Sequence, residues 1–149
     1  IMGLLVGLVS VATRPDARGL LRIEAERLAR LMDLAAAESS LTGNTIGWTA
    51  DGPGYRFWRL DEDAGWSEIR DNDLLRARAL PPGISISGLR VENMRPQGAL
   101  RLEFAPAAPP LFFTIELSFG AAHYAVAASA GGIVRAVADE GQLHGAPAL

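Results

Sequence analysis

With 149 residues, 49% of them hydrophobic and 21% charged, the chain is sized for one domain with its own core; wholesale disorder and collagen-like repeats are excluded. It has 0 cysteines and its 14 basic residues are all arginine, which removes disulfide frameworks, thiolate metal sites, thiol nucleophiles and lysine Schiff-base or P-loop chemistry. A net charge of −3 argues against non-specific adhesion to nucleic acid or anionic lipid.

The chain opens on Ile1, and residues 1–13 carry no charge. A spanning helix needs about 20 apolar residues, so this run is short for one. It reads as the end of a transmembrane helix, as the apolar part of a signal peptide with Ser10-Val11-Ala12 as its cleavage site, or as a buried core helix. The membrane reading is favoured, because a helix apolar on every face needs lipid or other helices around it. Its lipid- or helix-facing residues are then Ile1, Leu4, Leu5, Leu8, Val9 and Val11.

Residues 20–41 follow a helical pattern without internal Pro or Gly. At 100° per residue, Leu20, Leu21, Ala25, Leu28, Leu31, Met32 and Ala35 share one side, and Arg18, Arg22, Glu26, Arg30 and Asp33 lie opposite. Leu21, Leu28, Leu31, Met32 and Ala35 are therefore expected to pack on the rest of the domain. Arg22–Glu26 and Glu26–Arg30 are i,i+4 pairs of opposite charge. Gly43 and Asn44 have the chemistry of a helix C-cap. Pro15 and Gly19 mark a joint with the preceding apolar run. Glu24 falls inside the apolar arc. It either pairs within the protomer, with Arg27 or an arginine of the globular part, or meets a cation on a neighbouring subunit.

After Gly43 the period changes to alternation. Strands are expected over 45–50, 55–60, 66–69, 84–91, 99–105, 112–119, 124–128 and 133–137, with 70–82 irregular. Asp51-Gly52-Pro53-Gly54 is a turn signal between the first two. The fold class is α+β: one long N-terminal helix on an antiparallel β domain of about eight short strands. The divisions are the end of a membrane or stalk helix over 1–17, an amphipathic helix over 18–43, the β domain over 44–140 and a flexible tail over 141–149.

Catalytic motifs such as GxSxG, HExxH, GxxxxGK[ST] and GxGxxG do not occur. Asp61 and Asp63 resemble the start of an EF-hand loop, but Gly65 stands where a third ligand belongs, so a solvated hairpin turn is the expectation. His123 has no adjacent group to activate or orient it, and His144 sits in the tail. Trp48, Tyr55, Phe57, Trp58 and Trp66 are read as core and cross-strand packing. Arg56 and Arg59 beside them are surrounded by Asp51, Asp61, Glu62 and Asp63, which does not make a base-stacking platform.

The order of these features resembles the H-type minor pseudopilins of bacterial type II secretion systems. The helix carries Arg27-Leu28, Leu31, Leu34-Ala35, Glu38 and Gly43 in the family's pattern. Asp51-Gly52, Gly54-Tyr55, the aromatic strand Phe57-Trp58-Arg59-Leu60, Gly65-Trp66 and Ala79-Leu80-Pro81-Pro82-Gly83 follow in its order. The resemblance runs from Ile1 to about Gly83 and is loose beyond, where the family's polar turn is replaced by the Ala/Pro-rich stretch 105–111. It implies a pilin-like fold and a non-catalytic structural subunit without cofactor or metal. It further implies a single-pass anchor in the inner membrane, a periplasmic β domain, and assembly with the major G-type and minor I-, J- and K-type pseudopilins. The alternative is a minor pilin of a type IV pilus or DNA-uptake system. After Arg101 the only basic side chain is Arg135, so nucleic acid is not an expected partner.

Overall fold

The computed structural model describes residues 16–92, 94–129 and 132–138. The apolar run 1–13, with its expected membrane positions, and the tail with His144 lie outside the described residues.

Helix α1 spans Ala17–Thr42. Leu21, Ala25, Leu28, Ala29, Met32, Ala35 and Ser39 form its buried stripe, the three- and four-residue steps that keep one face inward. Each large apolar side chain so buried contributes about 2 kcal/mol of transfer free energy. Leu20, Leu31 and Leu34 flank the stripe, partly buried. The helix stops at Gly43, whose φ of 77° suits a residue without Cβ and lets its N–H reach Ser39 O. Ser39 is itself buried and donates through Oγ to the carbonyl of Phe104 at 2.7 Å, tying the helix end to the β domain.

Nine strands follow among the described residues, in two antiparallel sheets. The first holds β1 (Ile46–Ala50), β2 (Gly54–Asp61), β3 (Gly65–Glu68), β4 (Arg78–Ala79) and β6 (Leu100–Phe104), in the order β3-β2-β1-β6. The second holds β5 (Ile84–Val91), β7 (Phe113–Phe119), β8 (Ala122–Ala128) and β9 (Val134–Ala138), in the order β5-β7-β8-β9. Helix α1 packs chiefly on β8, β9 and β7, with β1 and β6 at its margin. The core between these layers is built from Trp48, Phe57, Leu28, Met32, Ile115, Leu117 and Val126 with their neighbours, all fully buried.

Strand parity sorts the aromatic cluster. Trp48, Tyr55 and Phe57 point inward and are buried, whereas Trp58 and Trp66 are only half-buried. In β5 the burial alternates through Ile84 and Ile86, then changes phase to Leu89. The pairing with β7 slips between Ile86 and Gly88, so a bulge turns the strand by one residue there.

The irregular stretch 70–82 departs from expectation in one place. Arg78 and Ala79 form β4, which pairs with Tyr55 and Gly54 along the same edge of β2 that carries β3 further on. A Cβ on Gly54 would lie 2.6 Å from Arg78 O, so glycine is what lets the segment approach this closely.

Candidate functional site

The most constrained polar contact joins helix to sheet. Glu24 is 4% exposed on α1, and both of its carboxylate oxygens are occupied by Arg78. Nε donates to Oε1 at 3.0 Å and Nη2 donates to Oε2 at 2.8 Å. Two parallel charge-assisted bonds fix the orientation of both planes. Hydrogen bonding to Glu24 is the main reason the Arg78 guanidinium is held above its ordinary pKa. Within the protomer, the partner of Glu24 is an arginine of the globular part rather than Arg27.

Tyr55, the pairing partner of Arg78 on β2, is buried nearby. Its hydroxyl and Trp48 Nε1 have no hydrogen-bond partner among the described residues. Burial, aided by the Glu24 carboxylate and opposed by the cations of Arg78 and Arg27, pushes the Tyr55 pKa up to about 12.

Beside this pair, α1 and the segment leading into β4 enclose a groove of about 670 Å³. Arg27 and Arg30 line it from the helix, Arg76 and Arg78 from the segment, and Leu31, Leu34 and Leu74 form its apolar part. Glu26 pairs with Arg22 at 3.4 Å; the expected Glu26–Arg30 pair does not form. Arg30 lines the groove instead.

The outer face of the first sheet carries a second shallow site. Trp66 lies over Gly47, where a Cβ would meet its ring at 3.0 Å, and the Arg101 guanidinium sits 5.1 Å from the ring centroid of Trp66. Trp58 Nε1 donates to Thr49 Oγ1 at 2.8 Å. Arg56 pairs with Glu68 and Arg59 with Asp71. These cations are neutralised on the protein itself, by Glu68 and Asp71 rather than by the Asp51, Asp61, Glu62 and Asp63 that surround them in sequence.

A third hollow, of about 390 Å³, lies between α1, the stretch 103–111 and the turn before β9. Asp33 stands at its rim, and partial burial raises its carboxyl pKa against a backbone hydrogen bond from Val134 that lowers it.

The acidic turn after β2 closes on itself. Asp61 Oδ1 accepts the N–H groups of Asp63 and Ala64 at 2.9 and 3.4 Å. No group of three potential metal ligands occurs among the described residues. His123 pairs across β7–β8 with Ser118 and is half-buried.

The remaining expected positions divide cleanly. Leu21, Leu28, Met32 and Ala35 are fully buried against the β domain, and Leu31 is half-buried at the groove. Ile1, Leu4, Leu5, Leu8, Val9 and Val11 lie outside the described residues. No helix among the described residues is long and apolar enough to cross a membrane. The sequence reading left open which arginine of the globular part pairs with Glu24, and it missed the groove.

No protein-family model and no curated protein sequence matches the chain. Solved structures do. Two structures of the minor pseudopilin EpsH from the type II secretion system of Vibrio cholerae superimpose with TM-scores of 0.64 and 0.66, at 20% and 18% identity. They cover 80% and 81% of this chain and 98% and 95% of theirs. The type IV minor pilin FimU of Pseudomonas aeruginosa superimposes with a TM-score of 0.51 at 17% identity, over 84% of this chain and 92% of its own. The chain therefore has the pilin-like fold: a long helix packed on antiparallel sheets.

Proposed function

We propose that the protein is a structural subunit, a minor pseudopilin of the H type, in the periplasmic pseudopilus of a type II secretion system. The carrying observation is the superposition on EpsH, which spans 98% of that chain with a TM-score of 0.64. The likeness to FimU is weaker, with a TM-score of 0.51, and this ranks the minor-pilin reading second.

The physical case agrees with this reading. Helix α1 spends its buried stripe on the β domain from Leu21 to Ser39, and the uncharged run 1–13 precedes it in sequence. A run apolar on all sides is suited to lipid before assembly and to the equivalent helices of other subunits after it. The chain would then be anchored once in the inner membrane with the β domain in the periplasm. Its partners would be the major G-type and the minor I-, J- and K-type pseudopilins. The role is mechanical rather than enzymatic. At the helix–sheet junction Glu24 and Arg78 are paired to each other and hold the fold.

The test is co-purification from membranes. Full-length protein should fractionate with membranes and carry the other pseudopilins of its secretion system with it. Full-length protein found wholly in the soluble fraction without partners would refute the proposal.

A further inference from the structure

The groove beside β4 has a charge balance and a floor that specify what it would hold. Four of the 14 arginines of an acidic chain converge on it. Arg78 is held by Glu24, and Arg76 has only Asp73 at 4.0 Å, a carboxylate 98% exposed. Arg27 and Arg30, both exposed, have no carboxylate within 4.0 Å among the described residues. They stand three residues apart on one helix face, each one turn before a leucine of the floor, Leu31 and Leu34.

The opposite wall presents a leucine outward. Asn72 Oδ1 accepts the N–H groups of Leu74 and Leu75 at 2.9 and 3.3 Å, which fixes the turn. Leu75 is driven fully into the core, and Leu74 is left 64% exposed. An apolar side chain held at the lip of a cationic groove is a feature of a protein-binding surface rather than of a solvated one.

We propose that this groove is a docking site for an acidic amphipathic segment of a neighbouring pilin-like subunit. An apolar side chain of that segment would seat over Leu31, Leu34 and Leu74, with Asp or Glu carboxylates reaching Arg27 and Arg30 on one wall and Arg76 on the other. The inference rests on the filament-subunit reading above. The leucine floor and Asp73 at the wall disfavour a phosphate backbone, which gains from cations and loses from both. The exposed acidic turn of a second copy, Asp61-Glu62-Asp63, has the charge, but the apolar side chains flanking it, Leu60 and Trp66, are half-buried and sit in the β2–β3 pairing, so it has no free apolar element to offer.

The experiment titrates detergent-solubilised full-length protein with each pilin-like subunit of the same secretion system, at low and high salt. The variants are R27E/R30E, Leu74→Ala and, outside the groove, Arg135→Glu. One subunit should bind wild type and Arg135→Glu equally. It should bind R27E/R30E at least about tenfold more weakly, with much of its salt dependence gone, and Leu74→Ala more weakly as well. Thermal melts of the variants should match wild type, since all the altered side chains are exposed. Equal binding of that subunit by wild type and R27E/R30E would overturn the groove while leaving the filament reading intact. Absence of binding by any subunit would overturn both. Duplex DNA or phosphatidylglycerol-containing vesicles bound by wild type and released by R27E/R30E would make it a phosphate site instead. Dimerisation of the protein alone, abolished by R27E/R30E, would make its occupant a second copy. Either result overturns the proposal.

Discussion

Glu24 and Arg78, 54 positions apart in sequence, meet in a two-point ion pair at 2.8 and 3.0 Å that pins the N-terminal third of α1 to the shortest strand of the β domain. The carboxylate side chain is 5% exposed and the guanidinium 28%. A buried pair of this kind gains little over apolar side chains of the same volume, because desolvation offsets its attraction. Its contribution is to orientation: removing one member strands the other.

Glu24→Ala should accordingly destabilise the protein by about 3 kcal/mol, whereas the double replacement E24M/R78M should cost far less. Urea denaturation of the two variants checks this. Equal losses in both would mean that the pair acts by charge attraction rather than by the penalty of an unpartnered ion.

Tyr55 supplies a prediction in pH. In the unfolded chain its hydroxyl ionises near 10, and in the fold near 12. Raising the folded pKa leaves the tyrosine's contribution intact below pH 10 and removes it as pH rises from 10 to 12. The loss amounts to about 3 kcal/mol across that window. Tyr55→Phe removes the unpartnered buried hydroxyl, so it should be neutral or stabilising at pH 7. The variant should also resist alkaline unfolding better than wild type between pH 10 and 12. Superimposable alkaline profiles for the two proteins would show that Tyr55 is not buried as described.

Leu28 on α1 and Leu74 on the segment facing it should respond differently to the same change. Leu28 is 0% exposed, and Leu28→Ala should cost about 2–5 kcal/mol, lowering Tm by roughly 5–15 °C. Leu74, 64% exposed on the facing segment, should lose no more than about 0.5 kcal/mol on conversion to alanine. Calorimetric melts separate the two outcomes, and a large loss at Leu74 would mean that it belongs to the core.

These residues also show which parts of the fold were legible in the sequence. The buried stripe Leu21, Leu28, Met32 and Ala35 was readable because a long helix repeats its period often enough to be heard. The alternating strand Phe113, Ile115, Leu117 was readable for the same reason. Strand β4 was not, since Arg78 and Ala79 are too short to carry any period. Its existence depends on the glycine at position 54 across the pairing. Arg30 was assigned to Glu26 by i,i+4 spacing, but Arg22 takes that carboxylate. Local spacing names possible pairs without deciding between them. Trp58 and Trp66 are read with Trp48 as core and cross-strand packing from their strand positions, and only the sheet shows that they occupy the outer face with Arg101. The Glu24–Arg78 contact and the groove beside it are products of tertiary packing that no local pattern encodes.

The central claim, a subunit that works through its N-terminal apolar run, is tested most directly by Leu8→Arg. Position 8 lies outside the described residues, so the measurement is a cellular one: secretion of the system's substrates together with co-purification of the other pseudopilins. A charge at the centre of a membrane helix costs about 2.5–3.5 kcal/mol for insertion. The variant should lose membrane association, partners and secretion together, while the thermal melt of the detergent-solubilised full-length variant matches that of wild type. A Leu8→Arg protein that secretes and co-purifies like wild type would contradict the account.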